Sequence, residues 1–372
     1  MFGKGIKLLT IWGIEVWMDF SWIIIFILIS WTLAAGYFPG EYPGFTSSTY
    51  WMMGIISALL LFACVLLHEL SHSYVAIKSG IPVPRITLFI FGGVAQIAQE
   101  PEDARTEFNI AIAGPICSLA LGILFWLLTK TKFVLDSKAL LIVFGYLAFI
   151  NIALVVFNMI PGFPLDGGRI LRAFLWKRWG DVRKATYAVS QIGSWFGILL
   201  ISFGVVNFLF GNLIGGIWFV FIGMFLNQAA KAGYQMTLLK ESLSGIRVKQ
   251  VMSRDVVTVP EAVSLEDLVK NYFERHFFMS FPVERDGVLA GIISLKQVKA
   301  VPKEEWVSRR VGEVMTKDVL SVRPDDEVSE ALSVMLRDNA GRLPVVEGEK
   351  IVGILSRRDV MNMLKIKSDL GI

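Results

Sequence analysis

The chain has 372 residues, 54% hydrophobic and 18% charged, with a formal net charge of +4 and a mean hydropathy of +0.59. Soluble domains run nearer a quarter charged, so a wholly soluble fold is excluded, and the scattered basic residues give nucleic-acid binding no support. The two cysteines, Cys64 and Cys117, both lie in apolar runs and make no disulfide framework.

The apolar excess ends near Lys231. A spanning helix needs about 20 apolar residues. Six segments qualify: Phe20–Gly36, Tyr50–Ile77, Glu107–Thr129, Lys138–Phe157, Ala188–Phe210 and Leu213–Ala230. The first reads as a span, not a cleavable signal peptide, because no A-x-A site follows it. Trp12, Trp17, Trp22 and Trp31 around it suit interfacial anchoring. Lys and Arg set the orientation. With the N-terminus cytoplasmic, the inner segments before Lys231 hold Lys4, Lys7, Lys78, Arg85, Arg105, Arg169, Arg172, Lys177, Arg178, Arg183 and Lys184. The outer ones hold only Lys130, Lys132 and Lys138. Both termini and the tail are therefore expected in the cytoplasm of a multi-pass cell-membrane protein.

The second span carries His68-Glu69-Leu70-Ser71-His72, with no other charged residue from Tyr50 to Ile77. Residues four apart on a helix are stacked neighbours, so both imidazoles can reach one zinc ion. Glu69 shares that face and can act as general base on the attacking water. Ionisable groups at bilayer depth are costly and mark function. Cys64, one turn earlier, is a second thing that could approach a metal there.

After this span, Ile81–Ile97 is rich in β-branched, aromatic, Pro and Gly residues and predicts a hairpin at the membrane surface. Its edge could pair with an extended peptide; a purely structural hairpin fits equally well. A catalytic zinc keeps three protein ligands. The candidate third is Asp166, in Asn158-Met159-Ile160-Pro161-Gly162-Phe163-Pro164-Leu165-Asp166-Gly167-Gly168, on the same side as His72.

These pieces, with Phe91-Gly92-Gly93-Val94-Ala95 and Ala113-Gly114-Pro115, closely resemble the site-2 protease family of intramembrane zinc metalloproteases. The resemblance implies one zinc held by His68, His72 and Asp166, Glu69 as base, and substrate binding by Asn158 and the Gly92-Gly93 segment. Many members carry Asn three residues after the third-span proline; here it is Ser118, to which no role is assigned.

The tail repeats itself: Val251-Met252-Ser253-Arg254-Asp255 recurs as Val314-Met315-Thr316-Lys317-Asp318, and Gly291-Ile292-Ile293-Ser294 as Gly353-Ile354-Leu355-Ser356. Each copy reads as strand, helix, strand, strand, helix. It resembles a tandem pair of cystathionine-β-synthase-type (CBS) domains. That resemblance implies an adenine nucleotide as regulatory ligand, held by Ser356 and Asp359 in the second copy, whereas Gln297 replaces the Asp in the first. Homodimerisation through the pair is a further expectation.

The expected architecture is thus a multi-pass α-helical membrane protein with a membrane-associated β segment, joined to a soluble α/β tandem CBS module. Its parts are a protease domain at 1–235, a linker at 236–245, and CBS domains at 246–301 and 309–368. The expected activity is hydrolysis of peptide bonds in or near the transmembrane segment of a single-span substrate in the bilayer. Two rivals stay open: a nucleotide-gated ion path, and a catalytically dead binding protein.

Overall fold

In a computed structural model of the chain, residues 5–90, 92–97, 101–338 and 340–370 are described. Phe91, part of the expected hairpin motif, lies outside them. The chain divides into two units, Met1–Thr237 and Leu238–Ile372.

Among the described residues, five helices are long and apolar enough to cross a bilayer. They are α1 (Phe20–Glu41), α2 (Ser47–Lys78), α3 (Ala104–Leu128), α4 (Lys138–Asn158) and, after the shorter α5 (Asp166–Trp179), α6 (Val182–Leu209). Each starts where a side-chain oxygen meets an orphan backbone N–H. Asp19 accepts from Ser21, Thr46 from Thr49, Asp103 from Arg105 and Thr106, Ser137 from Leu140, and Asp181 from Lys184. Such a cap contributes ~1 kcal/mol and sets where each helix begins. The sixth expected span falls within α7 (Leu213–Leu243), so most of the stretch expected as a linker is helical.

The first unit also holds a four-stranded sheet of β1 (Gly5–Ile11), β2 (Ile14–Asp19), β3 (Arg85–Phe89) and β4 (Gly92–Gln96), in that order. The expected hairpin is β3–β4, with Leu88 opposite Gly93. The N-terminal hairpin β1–β2 was not expected; it joins by parallel pairing of β2 with β3, Val16 opposite Ile86. Ile14 and Ile86 are fully buried and pack with Leu70, Ala76 and Ile110, so the sheet is pinned against the second half of α2. Leaving β4 at the end of the order gives it one strand neighbour among the described residues.

The second unit is one five-stranded sheet: β5 (Val259–Pro260), β6 (Ser280–Arg285), β7 (Val288–Ser294), β8 (Arg342–Glu347) and β9 (Lys350–Ser356), in the order β5-β6-β7-β9-β8. The two copies meet where Val288 of β7 pairs with Lys350 of β9. They also exchange their leading segments. Val248, Val251 and Met252 pack into the core of the second copy, with Val345, Leu355 and Val360. Val311 and Met315 complete the core of the first, with Phe281, Val283 and Ile293. The bridges Ser253↔Ile354 and Ile292↔Thr316 record the same exchange.

Candidate metal centre and active site

His68 and His72 lie one turn apart on α2, their Nε2 atoms 3.1 Å apart. Asp166, the first residue of α5, brings Oδ2 to 3.2 Å from His68 Nε2 and 3.3 Å from His72 Nε2. All three residues are buried. Donor atoms roughly 2.0–2.1 Å from a tetrahedral zinc sit roughly 3.3 Å from one another, so the triangle already has the spacing that zinc requires. Among the described residues, the group that could hold a metal consists of these three, and Cys64 is not in it.

The remaining ring nitrogens explain why both Nε2 atoms face the triangle. His72 Nδ1 donates to the Ile110 carbonyl oxygen at 2.6 Å, so it carries the hydrogen and Nε2 keeps a lone pair for a metal. His68 Nδ1 meets Ser118 Oγ at 2.9 Å. Both partners come from α3, whose helical ladder Pro115 interrupts. No role for Ser118 follows from the sequence, whereas in the structure its hydroxyl orients a histidine. In a helix of apolar residues a lone serine carries no signal of such a task. Gly114 lets α3 come this close. A Cβ there would clash with Nε2 of both histidines, filling the space a metal needs.

The histidines also sit beside the sheet's end strand. A cavity of about 390 Å³ is lined by His68, Glu69, Asn158 and Asp166, by Gly92 and Gly93 of β4, and by apolar residues of α1, α2, α4 and α7. Here β4 runs so near Glu69 that a Cβ on Gly93 would collide with the Glu69 side chain.

A second buried polar contact holds α3 against α5. Arg172 donates through Nε to Glu107 Oε1 at 2.6 Å, and through a second nitrogen to the same oxygen. Glu107 is fully buried. The Arg172 guanidinium also lies 4.9 Å from the centre of the Phe163 ring. The pair links the helix that carries the Ile110 carbonyl to the helix that begins with Asp166. The pair leaves no mark in the sequence, because its partners are 65 residues apart.

In the second unit, Asp359 Oδ2 accepts from the Ser356 N–H at 2.9 Å and the Ser356 hydroxyl at 2.5 Å, in the first turn of α8 (Arg357–Leu370). Gln297 Oε1 does the same for Ser294 at 2.6 and 2.8 Å. Its amide nitrogen then donates to Thr316 Oγ1 at 2.6 Å, a donation a carboxylate could not make. Near Asp359, the Arg342 guanidinium stacks 3.8 Å from the Phe278 ring centre. Burial pulls that guanidinium below its ordinary range, against the opposing pull of Asp359.

The profile of peptidase family M50 matches residues 56–134 and 134–201, which hold the histidines and Asp166. The CBS domain profile matches residues 248–303 and 311–366. A Mycobacterium tuberculosis protein named "Putative zinc metalloprotease Rip3" is 34% identical over 97% of this chain and 93% of its own length. The chain belongs to peptidase family M50. The zinc metalloprotease MJ0392 of Methanocaldococcus jannaschii is 31% identical over 98% of both chains. A solved site-2 protease from the same archaeon is 30% identical, covering 62% of this chain and 95% of its own, with a TM-score of 0.42. This M50 member is a site-2-type metalloprotease that carries a tandem CBS pair. Zinc fits the residues present: two imidazole Nε2 atoms and one carboxylate oxygen at tetrahedral spacing, in a space kept open by Gly114.

Proposed function

We propose that the chain hydrolyses peptide bonds within or near the transmembrane segments of membrane proteins, using His68, His72 and Asp166 to hold one zinc ion. The observation that carries this reading is the donor triangle of 3.1–3.3 Å edges in a bilayer-length helix bundle, with Glu69 on the wall of the adjoining cavity. When bound, zinc supplies a Lewis acid that polarises the scissile carbonyl and acidifies the attacking water. Glu69 takes a proton from that water and passes it to the leaving nitrogen. Asn158 binds the substrate or its developing oxyanion from the same cavity. A helical substrate hides its amides and must unwind first. The end strand β4, at Gly92 and Gly93, receives it in extended form by backbone pairing.

The substrate is a single-span membrane protein, and both termini are cytoplasmic on the Lys/Arg asymmetry. The CBS pair modulates cleavage by binding an adenine nucleotide at Ser356 and Asp359, and pairs with that of a second copy. The support is the Ser356–Asp359 pair, in which contacts among the described residues engage only Oδ2 of the carboxylate, whereas Gln297 is also bonded to Thr316. The decisive experiment measures zinc content and cleavage of a single-span substrate in the parent and in Glu69→Gln. Zinc should stay bound while cleavage falls by about 10²–10⁴-fold. Cleavage at the parent's rate would refute the mechanism.

A further inference from the structure

Glu107 opens a stripe along α3 that continues through Ile110, Gly114 and Ser118, each three or four residues on and so on one helix face. The last three touch the histidines. The Ile110 carbonyl and the Ser118 hydroxyl meet their Nδ1 atoms, and Gly114 lies against both Nε2 atoms. Glu107 reaches instead to Arg172 of α5, the helix that Asp166 begins. Arg172 in turn covers the Phe163 ring, three residues ahead of Asp166. The backbone of Phe163 is pressed against α6: its N–H donates to the Val189 carbonyl at 3.3 Å, and a Cβ on Gly193 would collide with it. The start of α5 has no side-chain cap of its own, because Leu165 stands at the capping position. The ion pair is also poorly built for stability. Both donating nitrogens of Arg172 use Oε1, and the buried Oε2 of Glu107 has no hydrogen-bond partner among the described residues. Replacing a buried ion pair by apolar side chains of similar volume is often neutral or stabilising. What apolar packing lacks is direction: two helices held by it alone can slide, whereas a guanidinium bonded to one carboxylate oxygen fixes their register.

We infer that Glu107, Arg172 and Phe163 are positioning residues for the third zinc ligand. Glu107 belongs to the helix that orients both histidines, so its bond to Arg172 registers α5 against that helix. The Phe163 contact registers the loop that leads into Asp166. All three stand outside the donor triangle. They act by holding Asp166 Oδ2 where the two Nε2 atoms converge. Zinc–ligand distances hold to about 0.2 Å, so a small slide of α5 opens the site while the fold survives. The inference rests on the ligand set of the proposed function, and the test separates the two.

The test uses the full chain in detergent and the double variant Glu107→Met/Arg172→Leu, which removes both charges at once and strands neither. Three quantities are read: the thermal midpoint of the metal-free protein, zinc affinity by competition with a chelator, and the visible absorption of the cobalt(II)-loaded protein, which reports ligand geometry. The metal-free midpoint should match the parent's. Zinc affinity should fall about tenfold, and the intense cobalt bands of a tetrahedral site should weaken. Parent-like zinc affinity and cobalt spectrum in the double variant overturn the inference. A metal-free midpoint lowered together with zinc affinity would make the pair a plain structural support and overturn it too. Phe163→Leu leaves the ion pair in place and should lower zinc affinity by about threefold; an unchanged affinity would strike Phe163 from the device. Asp166→Ala is measured alongside. If it keeps its zinc, the ligand set itself has failed. If it loses zinc while the double variant binds as the parent does, the positioning claim alone has failed.

Discussion

The interiors of the two units are built on opposite terms. In the first, polar groups are buried and most of the functional ones are tied to a named partner: His68 to Ser118, His72 to the Ile110 carbonyl, Glu107 to Arg172. In the second, the described core is apolar apart from Ser264, and the polar residues of interest sit where a strand gives way to the next helix. A buried polar group that loses its partner is far costlier than an exposed one. Changes in the first unit should therefore weaken or abolish metal binding or folding. Changes at the corresponding polar positions of the second should tune a ligand and leave the fold intact.

The largest effect is expected at Asp166. Asp166→Ala leaves two histidines to hold the metal, and both zinc content and cleavage should be lost. Metal analysis after dialysis checks this, and full retention of zinc would move the third ligand elsewhere. Glu107→Ala comes next. It strands Arg172 in the interior and should cost about 3–5 kcal/mol, read as a lowered thermal midpoint in detergent. A midpoint unchanged from the parent would show that the pair is not desolvated in the bilayer-embedded protein.

A milder change sharpens the contrast within the first unit. Ser118→Ala removes only the hydroxyl that orients His68, and should weaken zinc affinity by about 10–100-fold while the fold persists. Competition with a chelator measures it; identical zinc affinity would reduce Ser118 to a packing residue. The smallest effects belong to the second unit. Asp359→Asn can keep the cap on α8 but loses the carboxylate, so adenine nucleotide binding to the full chain should weaken with little change in the melting midpoint. Gln297→Asp should do the reverse and add a second site. Calorimetric titration with AMP tests both, and an unchanged affinity and stoichiometry in the pair would remove the site assignment.

How much of this could be read from the sequence follows from distance along the chain. His68, Glu69 and His72 are visible because a helix stacks residues four apart, and the structure puts Asp166 beside them as the first residue of a new helix. The repeats of the tail are visible because they recur as words. The N-terminal hairpin was not legible. Gly5–Ile11 shows no clean alternation of burial, and β2 finds its parallel partner about seventy residues later. Glu107 and Arg172 hide for the same reason, since Glu107 alone looks like the start of a span and Arg172 like one more cytoplasmic cation. Ser118 hides because a hydroxyl that faces a metal ligand and one that faces lipid have the same letter.

The exchanged leading segments of the C-terminal unit carry a consequence for how this protein can change over evolutionary time. A chain cut after residue 303 would lack Val311 and Met315, and so would open the core of the copy it retained. Deleting the first copy would likewise withdraw Val248, Val251 and Met252 from the second. Neither copy is a spare of the other. A lineage that lost one would leave the other with an opened core, and a frameshift ahead of Val311 would disrupt both copies together.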